Sequence, residues 1–221
     1  EPLTEPLGGR CVYSDLGFIL LGEILERIVK QEWSAFCHGE ISPKLGVGDL
    51  FYMSENGPTG GVSVTGRRFA ATEQDDWRGR MIRGEVHDEN AAVMGGVSSH
   101  AGLFGTADAV AKAVSPWLAA VREEASPIPT TWAKEFVRKQ GIDPQGSWAL
   151  GWDTPSTGPG GTPSSSGAYF SPGSFGHLGY AGTSVWIDPE RELIVVLLTN
   201  RVHPTRKNDQ MRAFRPAIHD V

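Results

Sequence analysis

The sequence predicts an α/β protein of the α+β type, an antiparallel sheet flanked by helices, on three observations. Leu193 to Leu198 is apolar at every position, where a strand with one wet face would alternate. This run is therefore expected to be a strand covered on both faces. Ser184 to Ile187, β-rich, precedes it across Asp188-Pro189-Glu190-Arg191. In that turn Pro189 presets φ and Asp188 can accept from the backbone ahead. Near the start, Leu16, Ile19, Leu20, Ile24 and Ile28 recur at helical spacing, with Phe18, Leu21 and Leu25 widening the stripe. A sheet holding a doubly apolar strand needs layers on both sides, and such helices can supply them.

Taken in order, Glu1 to Arg10 is a Pro/Gly-rich entry with no core of its own. A helix is expected over about Asp15 to Gln31, with Ser14 or Asp15 as N-cap. Its first turns are apolar nearly all round, so that end is expected to be buried. Gly57 to Gly66 is a loop by composition. Thr106 should cap a helix to about Val114, with Asp108 near its positive end. Ser115-Pro116 should restart a second helical segment, because proline suits the first helical position. A third helix is expected from about Thr131 to Gln140, closed by Gly141. Trp148 to Trp152 reads as a short strand of the main sheet, beside Phe175 to Tyr180. Thr154 to Pro172, rich in Gly, Ser and Pro, reads as a mobile loop. Met211, Phe214 and Ile218 place a terminal helix on the sheet, interrupted near Pro216.

Composition narrows the function. The 221 residues suffice for one sizeable domain, 1–221. A net charge of −6 argues against a nucleic-acid partner, which would require clustered Lys and Arg. No apolar run reaches the ~18 residues of a membrane span. Cys11 and Cys37 could pair but do not make a disulfide framework.

Two short strings carry candidate chemistry. His177-Leu178-Gly179 lies where a strand should begin beside Ser184 to Ile187. A polar residue, a spacer and a glycine at a sheet edge suit substrate docking. The glycine admits close backbone approach, and the N–H of Tyr180 after it can face an oxyanion. The same string also reads as a Gly-rich hairpin, Gly176 to Gly182, with an incidental histidine. Tyr13-Ser14-Asp15 sets a phenol at the mouth of the first helix, or is simply a strand-end aromatic. His87, Asp88, Glu89 and His100 admit a metal-ligand reading, but no His-x-x-x-His or cysteine pairing supports it.

The strings together resemble the serine β-lactamase and penicillin-binding-protein superfamily, in its class C-like branch with D-alanyl carboxypeptidases and family VIII esterases. His177-Leu178-Gly179 is similar to the third motif of that superfamily, Lys-Thr-Gly or His-Thr-Gly. Tyr13-Ser14-Asp15 is similar to the second, Tyr-x-Asn. Pro43-Lys44-Leu45-Gly46 resembles its PLG segment. Gly84-Glu85-Val86-His87-Asp88-Glu89-Asn90-Ala91 and Gly95 to Thr106 resemble signatures of penicillin-binding-protein-4B-like serine hydrolases, with Ser99 in place of a glycine. The resemblance implies Tyr13 as general base, Asp15 and His177 as further catalytic residues, and Gly179 and Tyr180 at the substrate and oxyanion. It implies a small ester, amide or β-lactam substrate, and neither metal nor cofactor. Asp15 stands where Asn is usual, and an ionised carboxylate only accepts hydrogen bonds, so a lysine partner is expected before a substrate amide. Leu178 lacks the hydroxyl that threonine offers a substrate carboxylate.

The nucleophile of that superfamily lies on Ser-x-x-Lys, upstream of the tyrosine motif. No serine here has lysine three residues on. The chain is therefore expected to be the C-terminal part of a single β-lactamase-like serine hydrolase domain, inactive alone and prone to self-association or pairing with the absent segment. The rival reading is a binding module of the same fold without catalysis.

Overall fold

The computed structural model describes residues 8–9, 11–143, 146–156 and 164–221. Most of the Glu1 to Arg10 entry and the middle of the Thr154 to Pro172 loop lie outside them. In chain order the elements are α1 (Asp15–Val29), α2 (Trp33–Phe36), a π-helical turn (Cys37–Ile41), α3 (Ser42–Leu45), β1 (Phe51–Ser54) and β2 (Gly57–Pro58). Then follow β3 (Ala71–Asp75), β4 (Arg80–Arg83), α4 (Glu89–Val93), β5 (Leu103–Phe104), α5 (Ala107–Val121) and α6 (Thr130–Val137). The last four are β6 (Phe175–Leu178), β7 (Ser184–Asp188), β8 (Leu193–Leu197) and α7 (Met211–His219). No helix among the described residues is long and apolar enough to cross a membrane.

The main sheet is antiparallel in the order β6-β7-β8. Phe175 pairs with Ile187 and His177 with Val185, while Ile187 pairs in turn with Ile194. This register puts Phe175, Val185, Ile187 and Ile194 on one face, where they pack on Val114, Trp117 and Leu118 of α5 and Val137 of α6. On the other face Trp186 meets Phe170, ring centroids 5.8 Å apart, and Ser184 Oγ lies 3.0 Å from His219 Nε2 of α7. Helices thus flank the sheet on both sides. The β7–β8 turn forms as expected, with Asp188 Oδ1 accepting from the N–H of Glu190 at 3.0 Å and of Arg191 at 3.1 Å.

Five expectations need correction. Trp148 to Trp152 is not a strand: Asp153 alone bridges Gly176, through two backbone bonds of 2.7 and 2.9 Å, and Trp148 bridges Asp153. The segment is a tight loop against the outer edge of β6. β8 is a strand but not a doubly covered one. It is the edge of the described sheet, its residues are half-buried, and Leu193 is exposed, because α5 reaches only one of its faces. The two helical segments around Pro116 are one helix, α5. Pro116 has no N–H for the carbonyl of Lys112, and Ser115 Oγ donates to that carbonyl instead, at 3.0 Å. α7 likewise runs through Pro216 without interruption. Thr106 caps α5 as expected, accepting from the N–H of Ala109. Both cysteines are free thiols, and burial pushes the Cys37 thiol up to about 11.

The fifth correction concerns α1. Its start is not buried: Leu16, Leu20, Leu21, Ile24 and Ile28 are all exposed, Leu20 to 61%. Among the described residues no element packs on that stripe. α1 is held instead by its one buried residue, Gly22. An ideal Cβ there would lie 2.2 Å from Ser99 Oγ, and that hydroxyl donates to the carbonyl of Phe18 at 2.7 Å. Ser99 therefore sits in the notch that Gly22 leaves open and ties α1 to the loop before β5.

This notch gives a signed test. Gly22→Ala alone should cost about 1–3 kcal/mol through overpacking, although alanine favours the helix by about 1 kcal/mol. In a Ser99→Gly background the same change should become neutral or stabilising. Urea unfolding of the four proteins measures the coupling; equal effects in both backgrounds would show that the notch does not seat the helix.

Candidate functional site

The N-terminus of α1 presents Tyr13 to the outer edge of β6. Ser14 holds the N-cap position with extended backbone (φ −154°, ψ 131°) and makes no side-chain cap. That extension swings Tyr13 clear of the helix. Its ring stacks on Trp148 at 5.3 Å between centroids and lies 6.1 Å from the ring of His177. Trp148 and His177 are 5.8 Å apart, so three rings close on one another. The Asp153–Gly176 bridge explains why: it fixes the Trp148 loop to β6 one residue before His177. His177 Nδ1 lies 2.8 Å from the carbonyl of Leu178. Asp153 beside it is buried; burial pushes its carboxyl up, against hydrogen bonds from Ser147 and the Thr154 N–H and the nearby His177.

Asp15 and Asp88 form the acidic side of the site. A carboxylate oxygen of each and a ring nitrogen of His100 lie within 4.8 Å of one another. His100 Nε2 is 2.9 Å from Asp88 Oδ1, and His100 Nδ1 is 2.7 Å from Ser98 Oγ. Ser98 is only 3% exposed, so this row of serine, histidine and aspartate orients a carboxylate and does not offer a nucleophile. Burial, then the charge of Asp15 and its hydrogen bond, then the charge of Asp88, raise the pKa of the Tyr13 phenol. The site as it stands favours the protonated phenol.

Gly179 and Tyr180 lie in the turn between β6 and β7. The N–H of Gly179 donates to the Thr183 carbonyl at 2.8 Å, and a Cβ at Gly179 would lie 2.1 Å from Thr183 Oγ1. The close approach that needs glycine is thus made within the turn itself. Arg215 of α7 donates from Nη2 to the carbonyls of both Gly179 and Thr183. Tyr180 is held from two sides: Arg201 stands 4.4 Å from its ring centroid and donates to its carbonyl at 2.7 Å, while His87 stacks on it at 6.0 Å. Among the described residues the N–H of Tyr180 has no hydrogen-bond partner. A cavity of about 250 Å³ lined by Leu178, Met211, Arg212 and Arg215 opens against α7. Neither Tyr13 nor His177 lines it.

The His87 to Glu89 string divides between two networks, and of the four candidate metal ligands only Asp88 and His100 come together, with Asp15, as a group that could hold an ion. His87 Nε2 binds Glu73 at 2.8 Å, and Glu89 pairs with Arg206 at 2.6 Å. Asp88 and His100 turn the other way, towards Asp15, and both nitrogens of His100 are engaged. Glu73 is 4% exposed and also accepts from Arg206 Nε at 2.7 Å. Burial pushes its carboxyl up, but the Arg206 and His87 hydrogen bonds outweigh that and bring it to about 2. Behind this network Arg78 donates to the carbonyls of His87 and Asp88 at 3.3 and 3.4 Å.

Of the residues expected from sequence, Tyr13, Asp15 and His177 come together, with Gly179 and Tyr180 just past His177 in the turn after β6. Sequence reasoning missed Trp148, Asp153 and the pairing of Asp88 with His100. Trp148 was assigned to a strand, and Asp153 carries no motif at all. The HDEN string and His100 were visible, but nothing in their spacing shows which of them face Tyr13.

The depressed carboxyl of Glu73 makes stability pH-dependent. Its contribution is full above the unfolded value of 4.5 and is lost as pH falls towards about 2. That shift corresponds to about 3 kcal/mol. Urea unfolding at near-neutral pH and near pH 3 should show about 2 kcal/mol of this loss in the parent chain and a much smaller one in Glu73→Gln. Equal losses in both would mean that other carboxylates dominate.

Comparison with known proteins places these features in a family. The Beta-lactamase family profile matches residues 1–218. A Bacillus subtilis (strain 168) protein named N-acetylmuramyl-L-alanine amidase is 33% identical over 215 residues, 91% of this chain and 47% of that protein. An Escherichia coli (strain K12) protein provisionally named D-alanyl-D-alanine carboxypeptidase is 29% identical over 222 residues, 91% of this chain and 48% of its own length. The chain thus spans about half the length of these relatives. Among solved structures, a β-lactamase from Mycobacterium bovis matches with a TM-score of 0.62 at 21% identity, over 96% of this chain and 63% of that one. A penicillin-binding protein from Bacillus halodurans also matches at 0.62, with 19% identity, over 98% of this chain and 58% of its own. The fold, the site strings and the profile agree, and this chain belongs to the Beta-lactamase family.

Proposed function

We propose that this chain supplies the tyrosine and His-x-Gly portion of an acyl-transfer site, in a serine hydrolase of DD-peptidase, β-lactamase or carboxylesterase type. The observation that carries the reading is the meeting of Tyr13 and His177, 6.1 Å between ring centroids, from opposite ends of the sequence. Tyr13 is the proton carrier. Burial and the neighbouring Asp15 raise the pKa of its hydroxyl and keep it protonated. His177 faces the same space from β6, and the N–H of Tyr180 serves as one oxyanion donor, a group whose loss typically costs about 10²–10³ in rate. The nucleophile comes from a Ser-x-x-Lys segment outside the sequence of this chain, and residues 1–221 form part of a single domain with it. The names of the two relatives favour small amide or peptide substrates. Leu178 in place of a hydroxyl residue favours esters over carboxylate-bearing β-lactams. No cofactor takes part.

A second reading, a non-catalytic module of the same fold, is favoured by one observation: no serine has lysine three residues on. Assays of p-nitrophenyl butyrate separate the two. The chain alone should show no turnover above background, because members of a catalytic unit act non-additively and the nucleophile dominates. Joined to a Ser-x-x-Lys segment from a relative, as one polypeptide or two, it should hydrolyse the ester. Tyr13→Phe should then lower the rate by about 10²–10⁴, the usual contribution of general acid–base catalysis. Failure to gain hydrolysis with any such segment supports the module. Robust turnover by the chain alone, insensitive to Tyr13→Phe and His177→Ala, overturns both.

A further inference from the structure

The cavity of about 250 Å³ between α7 and β6 is lined by Ser165, Leu178, Met211, Arg212, Arg215 and Pro216. Successive side chains of a strand point to opposite faces, so Leu178 faces this cavity while His177 faces Tyr13. The cavity therefore stands behind the edge of β6, away from the candidate site. Two half-buried arginines, Arg201 and Arg215, hold the turn between β6 and β7 by its carbonyls. Arg201 Nε donates to Tyr180 at 2.7 Å, and Arg215 Nη2 donates to Thr183 at 3.0 Å and to Gly179. Arg78, Arg122 and Arg206, likewise half-buried, each pair with a carboxylate. Among the described residues Arg201 and Arg215 pair with none, and Arg215 Nε is buried without a hydrogen-bond partner. Burial, then the charge of Arg201, lowers the pKa of the Arg215 guanidinium. Arg212, exposed and also without a carboxylate partner among the described residues, brings a second cation to the same cavity. A chain of net charge −6 thus sets cations together where no described carboxylate of its own answers them. A clamp on two carbonyls needs neither a cavity beside it nor a second arginine.

We infer that this cavity is a binding subsite for a small carboxylate with a short apolar tail, its oxygens held by Arg215 and Arg212. Arg215 Nε supplies the fixed donor and Arg212 the exposed one. A guanidinium matches a carboxylate in shape as well as charge, and such charge-assisted bonds are the strong ones. Leu178, Met211 and Pro216 give the tail an apolar wall. At about 250 Å³ the space falls below the roughly 300–1,000 Å³ of pockets for drug-sized ligands, so the occupant is compact. Its negative charge offsets the cost of keeping Arg215 charged where it is half-buried, and so steadies the clamp on Gly179 and Thr183. The site goes beyond the acyl-transfer reading: it moves no proton, and it stands whether or not the chain ever joins a nucleophile.

The test titrates the chain with sodium butyrate, ionic strength held constant with chloride, and follows the arginine Nε–H signals by NMR. The Arg215 signal is assigned by its loss in Arg215→Lys. It should move saturably with butyrate. Acetate should bind about tenfold more weakly, because it buries two fewer methylenes. Arg212→Gln should weaken butyrate binding about tenfold, the loss of one charge-assisted bond. An Arg215 signal unmoved by butyrate, or moved without saturation as by chloride, overturns the inference. So does saturation by phosphate but not by butyrate, or parent-like affinity in Arg212→Gln. Should Arg215→Lys not fold, thermal unfolding of the parent and Arg212→Gln takes the place of the signal. Butyrate should then raise the melting temperature of the parent saturably above that in chloride, with Arg212→Gln needing about tenfold more ligand. A parent melting temperature indifferent to butyrate overturns the inference equally.

Discussion

A single buried carboxylate, Glu73 on β3, joins the parts of the chain that carry the site. It accepts from the Arg206 backbone and side chain and pairs with His87, residues that are remote from it in sequence. Removing one partner of such a pair leaves an uncompensated buried charge, which costs about 3–5 kcal/mol. The network therefore behaves as one unit. It fixes the His87-Asp88-Glu89 string, and that string has two outputs. His87 stacks on Tyr180, in the turn after β6. Asp88, its neighbour, points the other way, towards Asp15. The two ends of the site are thus set by adjacent residues on one braced loop, with Arg78 holding the peptide carbonyls between them.

How much of this was legible in the sequence depends on which contacts are local. The β7–β8 hairpin was readable because Pro189 and Asp188 determine their own turn, and the Thr106 cap because one hydroxyl serves one helix end. Tyr13 and His177 were readable only through their likeness to a known pair of motifs; nothing in either string points to the other. Errors came where a neighbour rewrote a local preference. Pro116 should begin a helix, but Ser115 satisfies the orphaned Lys112 carbonyl and the helix runs on. Trp148 to Trp152 has strand composition, but only Asp153 reaches the edge of β6. Ser99 looked like a departure from a glycine-rich signature, and its consequence depended on Gly22, far away in sequence, leaving room for it.

The two burial errors share a cause. Apolar periodicity reports which face of an element is meant to be covered, not what covers it. α1 and β8 both carry faces built for contact, and in both cases the described residues supply contact on one side only. Fully burying a Leu or Ile side chain is worth about 1.5–3 kcal/mol, so the stripe Leu16, Leu20, Leu21, Ile24 and Ile28 represents a large unspent driving force. Contiguous apolar surface of this kind marks an interaction face.

The same helix carries both features, and that links stability to chemistry. Tyr13 precedes α1, Asp15 opens it, and the bare stripe begins at Leu16. α1 is seated by the close contact at Gly22, by α2 beside it and by the stacking of Tyr13 on Trp148. Any surface that covers the stripe acts directly on the first turn, and so on the angle at which Tyr13 meets His177. Covering the apolar face and fixing Tyr13 are therefore one structural event.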